Sequence, residues 1–148
     1  MGARSQDGFT LIELLVVLLI MGALLSLAPA AFHRLAPGIE MKAAAREVAG
    51  QLREARSLAI RDNRETVVIF DTEAKLYRIG TGTRAHELGQ ELSLSLVTAT
   101  SERLDDTTGR IRFFPDGTST GGRVTLSRDE RKFDITVDWL TGQVAISD

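Results

Sequence analysis

The sequence predicts an α+β protein: one long N-terminal helix, first hydrophobic and then amphipathic, packed on a C-terminal antiparallel β domain. Three observations carry that reading. Between Phe9 and Phe32 the chain holds a single charge, Glu13. From Ile39 to Asn63, apolar residues recur at helical spacing. Beyond Glu65 the period changes to short alternating runs separated by turn signals.

The chain has 148 residues, room for one modest domain and one additional long element. Its first eight residues, MGARSQDG, are polar, and the apolar run opens straight after them with FTLIELLVVLLI. Roughly 20 apolar residues span a bilayer, so Leu14 through Phe32, with the four residues before Glu13, are long enough to cross. In a secretory signal the cleavage site follows the apolar region. Here Gly8 stands before it, and Ala28-Pro29-Ala30-Ala31 on the far side is a poor imitation of such a site. A cut after Gly8 would remove the polar leader and leave Phe9 as the N-terminus of an attached hydrophobic helix.

Glu13 needs a reason. A carboxylate at the centre of a membrane helix costs about 2.5–3.5 kcal/mol, and such residues are usually functional. One reading has it snorkelling to the headgroups. The other has it waiting for a positive partner, such as the new α-amino group on Phe9, four residues back at the positive end of the helix.

Pro29 deletes the hydrogen bond to the carbonyl of Leu25 and should bend the helix. Pro37-Gly38 is a second weak point, since Ala36 before it is biased away from helical angles. A helix then resumes from about Ile39 to Asn63. Met41, Ala45, Val48, Leu52, Ala55 and Ala59 form its apolar stripe, and Asn63 is its stop. Among its charges only Arg61 and Glu65 are placed for an i,i+4 pair. Lys42, Arg46, Glu47, Arg53, Glu54, Arg56 and Asp62 either form a solvated face or take partners from neighbouring subunits.

Seven β-like runs follow: Thr66–Phe70, Lys75–Ile79, Leu92–Val97, Ile111–Phe114, Val124–Ser127, Phe133–Trp139 and Val144–Ser147. Asp71-Thr72-Glu73, Gly80-Thr81-Gly82, Pro115-Asp116-Gly117 and Thr141-Gly142 punctuate them. Ile135, Val137 and Trp139 alternate with Asp134, Thr136 and Asp138, as a half-buried strand would. Seven strands suffice for two small antiparallel sheets beside the helix. Leu88 to Thr108 has the loosest pattern and reads as containing a long loop. The organisation is therefore a leader over 1–8, a transmembrane helix over 9–32, an amphipathic helix over 33–63 and a β domain over 64–148.

No catalytic constellation is legible, and the chain reads as a structural protein, not an enzyme, without a cofactor. It has no cysteine, hence no disulfide framework or thiol nucleophile. Gly117-Thr118-Ser119-Thr120-Gly121-Gly122 has the glycine density of a phosphate loop but lacks the Lys-Ser/Thr ending, so it reads as turn chemistry. His33 and His86 are too isolated for a metal site and read as solvated. Neither Asp105-Asp106 nor Asp71 with Glu73 shows the alternating ligands of a calcium loop. The net charge is −2. Arg123, Arg128, Arg131 and Lys132 could form a small basic patch, but Asp129 and Glu130 dilute it, which disfavours nucleic acid as a partner.

GFTLIE followed by an unbroken apolar run resembles the class III leader of type IV pilins and type II secretion pseudopilins. LREARSLAIRDN with the VVIF strand, FFPDGTSTGGRVTLS and the final DWLTGQVAIS resemble the GspH/FimT branch, which holds type II secretion protein H and related minor type IV pilins. The resemblance implies a fold of one long helix with a C-terminal β domain. It implies that a prepilin peptidase cuts after Gly8 and methylates the amine of Phe9, and that Glu13 guides assembly. It implies other pseudopilins, major and minor, and an inner-membrane assembly platform as partners, with membrane lipid around the helix before assembly. The expected place is the bacterial inner membrane, single-pass, with the N-terminus cytoplasmic and the β domain periplasmic. Leader charge adds little, since Arg4 is offset by Asp7. The function implied first is a minor pseudopilin in a type II secretion system. The alternative is a FimT/FimU-like minor type IV pilin in pilus assembly or DNA uptake.

Overall fold

Met41, Ala45, Val48, Leu52, Ala55 and Ala59 are all 1% exposed or less, so the helical stripe legible in the sequence is the helix face that meets the sheets. The computed structural model describes residues 10–148 apart from 81 and 83, with the side chains of 24–37 outside the description. Helix α1 runs over Leu11–Arg61. The chain divides into two compact units that meet between Gly38 and Ile39. Helical backbone continues through Ala36-Pro37-Gly38, where an interruption was expected. A proline removes one rung of the hydrogen-bond ladder, and the neighbouring rungs of a long helix carry it across. At its far end α1 stops as the sequence indicates. Asn63 takes a left-handed φ of 48°, and the Arg64 N–H donates back to the Ala59 carbonyl at 3.2 Å, the pattern of a Schellman-type cap.

Among the described residues eight strands follow: β1 (Thr66–Asp71), β2 (Leu76–Ile79), β3 (His86–Glu87), β4 (Ser93–Val97), β5 (Thr108–Phe113), β6 (Gly122–Arg128), β7 (Arg131–Val137) and β8 (Val144–Ser147). They form two four-stranded sheets, ordered β3-β2-β1-β5 and β4-β6-β7-β8. Every pairing is antiparallel, with Val68 opposite Ile79 and Ile111, and Val124 opposite Leu96 and Ile135. Alternation places Val68, Phe70, Tyr77, Ile111 and Phe113 of one sheet, and Leu94, Val124, Leu126, Ile135 and Val137 of the other, in one core with the α1 stripe. Burying each of the larger side chains contributes about 1.5–3 kcal/mol. The fold is the expected α+β architecture with one strand more.

Four expectations are corrected. β3 was not anticipated because two polar residues carry no periodicity. Its His86 is not simply solvated: the ring stacks on Tyr77 with centroids 5.2 Å apart, and Nδ1 lies 3.2 Å from the Glu47 carboxylate. Trp139 is not a half-buried strand residue; β7 ends at Val137 and Trp139 is 66% exposed. The reason is local, for the Asp138 carboxylate accepts bonds from the Thr141 N–H and hydroxyl, both 2.8 Å, and closes a turn. Arg61 pairs with its neighbour Asp62 at 2.9 Å rather than with Glu65, which pairs with Arg112.

Since the second unit, Ile39–Asp148, holds all eight strands and the helical stripe that covers them, the fragment 39–148 is expected to fold alone. Circular dichroism should show mixed helix and strand with one cooperative melt. A disordered spectrum would refute autonomy.

Candidate functional site

The N-terminal end of α1 is organised by Thr10. Its hydroxyl oxygen accepts the Glu13 backbone N–H at 3.3 Å, and its carbonyl accepts the same N–H at 3.1 Å. Thr10 is thus the helix N-cap and Glu13 its third helical residue, the spacing of a capping box. The T-x-x-E signal was present in the sequence and was not read there as a cap. Glu13 is exposed in the first turn, where a carboxylate is favoured by the partial positive charge of the helix end. Around it Leu11, Ile12, Leu14, Leu15, Val16, Val17, Leu18, Leu19, Ile20 and Met21 are all at least half exposed. Gly8 and Phe9 lie outside the described residues. Among the described residues no helix is long and apolar enough to cross a membrane.

In the second unit Glu40, Glu47, Arg53 and Arg56 of α1 find partners within the chain, a third outcome beside solvent and neighbouring subunits. The Arg53 guanidinium donates to the Val144 carbonyl at 3.0 Å. Arg56 Nε donates to the Gly117 carbonyl at 3.0 Å. Glu40 lies 3.7 Å from Arg128, which also pairs with Glu91. Together with Glu47 and His86, these contacts tie the helix to β3, β6, β8 and the turn before β6. Exposed pairs such as Glu40–Arg128 are worth less than about 1 kcal/mol. The arginines on backbone carbonyls set the helix register more firmly, because the Val144 oxygen cannot move without β8 or the Gly117 oxygen without its turn. Arg53 and Arg56 gave one sequence signal, the lack of an i,i+4 partner. Their carbonyl acceptors could not be read from sequence.

Glu102, 4% exposed, is the buried carboxylate of this unit. It sits at the end of a short 3-10 turn, Thr100–Glu102, folded over the outer side of β5. Arg112 Nε donates to one of its oxygens at 3.0 Å and Arg110 Nε to the other. Arg112 reaches Glu65 as well. Burial pushes the Glu102 carboxyl upward, but the bonds from Arg112 and Arg110 outweigh it and hold the group below the usual range. Arg110 and Arg112 alternate with buried Gly109, Ile111 and Phe113, so the pairing lies on the face away from the core.

The acidic positions considered for calcium are occupied by their own turns. Asp71 Oδ1 accepts the Glu73 and Ala74 N–H groups at 3.0 and 2.7 Å. Asp105 Oδ1 accepts the Thr107 and Thr108 N–H groups at 2.8 and 2.6 Å. Among the described residues no three His, Asp or Glu side chains gather as a metal site. In the glycine-rich segment, Asp116 Oδ1 accepts the Thr118 N–H and hydroxyl at 2.9 and 2.7 Å, and the buried Ser119 hydroxyl donates to the Arg112 carbonyl at 2.7 Å. These are turn contacts leading into β6. What the arrangement does is hold the part of α1 from Ile39 onward to two sheets.

Residues 44–142 match the family described as Type II transport protein GspH, and residues 3–29 match the prokaryotic N-terminal methylation motif. The chain belongs to the GspH family. The type II secretion system protein H of Xanthomonas campestris pv. campestris is 29% identical over 141 residues, 95% of this chain and 83% of that protein. The minor pseudopilin EpsH of the Vibrio cholerae type 2 secretion system superposes with a TM-score of 0.59 at 13% identity, over 73% of this chain and 96% of that one. The type IV minor pilin FimU of Pseudomonas aeruginosa gives 0.58 at 17% identity, over 76% and 91%. At these identities the two structures establish a shared fold. The GspH match spans Arg53, Arg56 and the Glu102 network, while the methylation-motif match spans Gly8, Phe9 and Glu13.

Proposed function

We propose that this GspH-family chain is a minor pseudopilin, a structural subunit of the periplasmic fibre of a type II protein secretion system. The observation that carries the reading is the presence, in one chain, of the methylation motif over residues 3–29 and the GspH match over 44–142. The exposed apolar residues from Leu11 to Met21 support it, since such a surface requires lipid or other subunits around it. The helix waits in the inner membrane with the β unit in the periplasm. It enters the fibre by packing against other pseudopilins after a prepilin peptidase has cut behind Gly8 and methylated Phe9. Glu13 then meets the amine of Phe9, within or between subunits, and both charges are neutralised away from water. EpsH and FimU share the fold, so the fold serves a minor type IV pilin equally well. The named Xanthomonas relative favours secretion.

Intact-mass measurement of the chain from its host is expected to give a mature form beginning at N-methylated Phe9, and Gly8→Val is expected to leave the full precursor. A mature start at Ala30 or Ala31 would overturn the leader assignment. Deletion should abolish export of secreted enzymes while leaving twitching and DNA uptake intact; the reverse outcome would favour the pilin reading. Glu13→Ala should insert and be cleaved normally yet enter fibres several-fold less, with Glu13→Gln between it and wild type. Equal incorporation of all three at equal membrane levels would reject the amine pairing and favour a snorkelling carboxylate.

A further inference from the structure

Gly121 and Gly122 form the floor of a groove of about 590 Å³ at one end of the second sheet. Val97 and Trp139 stand beside it, both 66% exposed, and Leu140 continues the apolar surface at 60%. The walls approach as closely as glycine allows. A Cβ on Gly121 would lie 3.0 Å from that of Trp139, and one on Gly122 would lie 2.9 Å from the Val97 carbonyl. Gly121 moreover has a φ of 72°, which other residues rarely adopt.

The tryptophan is held outward by a built turn. The Ser119 N–H donates to its carbonyl at 2.9 Å, and Asp138 and Thr141 close the turn around it. Elsewhere the outer face of this sheet presents Ser93, Ser95, Thr125 and Ser127, so the apolar surface is confined to the groove end. Arg123 lies at the rim, in register with Val97 on β4 and Thr136 on β7. It is exposed, and among the described residues its guanidinium makes no hydrogen bond or ion pair. The carboxylate on the opposite side, Asp138, is already bonded within its turn. The charge left available is positive.

We propose that this groove docks a neighbouring pilin-like subunit through a segment that carries an apolar side chain beside a carboxylate. The apolar group packs on Val97, Gly121-Gly122 and Trp139, and the carboxylate pairs with Arg123. Tryptophan and arginine are the residues that most often dominate interface energetics, and a lone guanidinium selects a carboxylate by two parallel bonds. Nucleic acid would call for several cations along one track, and the groove offers one. The proposal rests on the fibre reading above and names the surface and the chemistry of the contact.

The chain has no cysteine, so Thr136→Cys in the groove gives a unique attachment point on the full-length protein. A thiol-linked photo-cross-linker at that position is activated in cells that make the other pilin-like subunits of the same system. The expected adduct joins the chain to one such subunit, at a peptide with Asp or Glu next to an apolar residue. Arg123→Glu or Trp139→Ala should reduce its yield about tenfold, the scale of losing an interface anchor. Arg131→Glu, the same charge change outside the groove, should not. Both groove variants should keep the wild-type melting temperature, since neither side chain is buried. An adduct only with a second copy of the chain, an adduct indifferent to Arg123→Glu, or no adduct while the chain still co-purifies with the other subunits would each overturn the proposal. Failure to co-purify with any pilin-like subunit would instead overturn the fibre reading, and the groove assignment with it.

Discussion

Glu102→Ala is expected to destabilise the β unit by about 3 kcal/mol, the scale for removing one member of a buried ion pair. Glu102 is buried while Arg110 and Arg112 are only partly so, and both lose their acceptor at once. Arg112 keeps Glu65; Arg110 keeps nothing of the kind among the described residues. A loss of that size should lower the melting temperature by roughly 12–20 °C in a unit of this length. Glu102→Gln preserves the shape but turns an amide toward two guanidinium groups, so most of the loss should remain. Glu102→Leu combined with Arg110→Met should recover part of it, since replacing a whole buried pair by apolar groups is often neutral. The same pair predicts a pH signature. The folded-state carboxyl is held below its ordinary value, so its contribution is complete at neutral pH. It begins to fade as pH falls below about 4.3, the value of an unperturbed Glu, and is gone below the folded-state value. The gap between wild type and Glu102→Ala in thermal melts should therefore narrow through that acidic window. A gap that is constant with pH would show that packing, not charge, is what the carboxylate supplies.

What the sequence made legible was periodic. The α1 stripe repeats often enough to stand out from its surroundings, and all six residues assigned to it are core residues. The strands that alternate over several residues were found with ends no more than three positions off, and β8 was found at both ends. β3 was missed because two residues cannot alternate, and because His86 and Glu87 look like loop residues until Tyr77 is known to lie beneath the imidazole. Trp139 shows the reverse failure. Its alternation with Val137 was genuine in the sequence, but the Asp138–Thr141 turn acted one residue earlier and swung the ring into solvent. The contacts that fix the helix against the sheets were invisible for a different reason. Arg53 and Arg56 meet carbonyls 91 and 61 residues away, and a backbone oxygen leaves no mark on residue type. Of the residues assigned to processing and assembly, Glu13 lies in a capped first turn and Gly8 and Phe9 lie outside the described residues. Thr10, the residue that makes the cap, carried a readable T-x-x-E signal.

Gly142→Ala is expected to cost about 3 kcal/mol or more, although it adds a single methyl group, because Gly142 is buried between the exposed Thr141 and Gln143. The added Cβ would collide with the Gly117 carbonyl and lie 2.8 Å from Arg56 Nε, and Gly142 has a φ of +62° besides. Those two atoms are partners in the bond that pins α1 to the turn before β6. The turn can relieve the contact only by giving up that bond or the Asp138–Gly142 backbone bond at 2.8 Å. Gly80→Ala separates the two sources of cost. Gly80 has nearly the same φ, +59°, but open space where its Cβ would go, so it should lose only the left-handed strain of about 1–2 kcal/mol. The excess at Gly142 measures the collision. Adding Arg56→Ala removes one of the atoms in the way and leaves the Gly117 carbonyl, so the pair should be non-additive, with the second substitution costing less than it does alone. Denaturant midpoints of the four proteins give the cycle directly. Equal costs at Gly80 and Gly142 would show that the turn relaxes freely and that Arg56 is not a lock. If the excess is found, the same substitution should also weaken fibre incorporation of otherwise normally processed chain, because a β unit no longer fixed to α1 cannot present its surfaces in a set register.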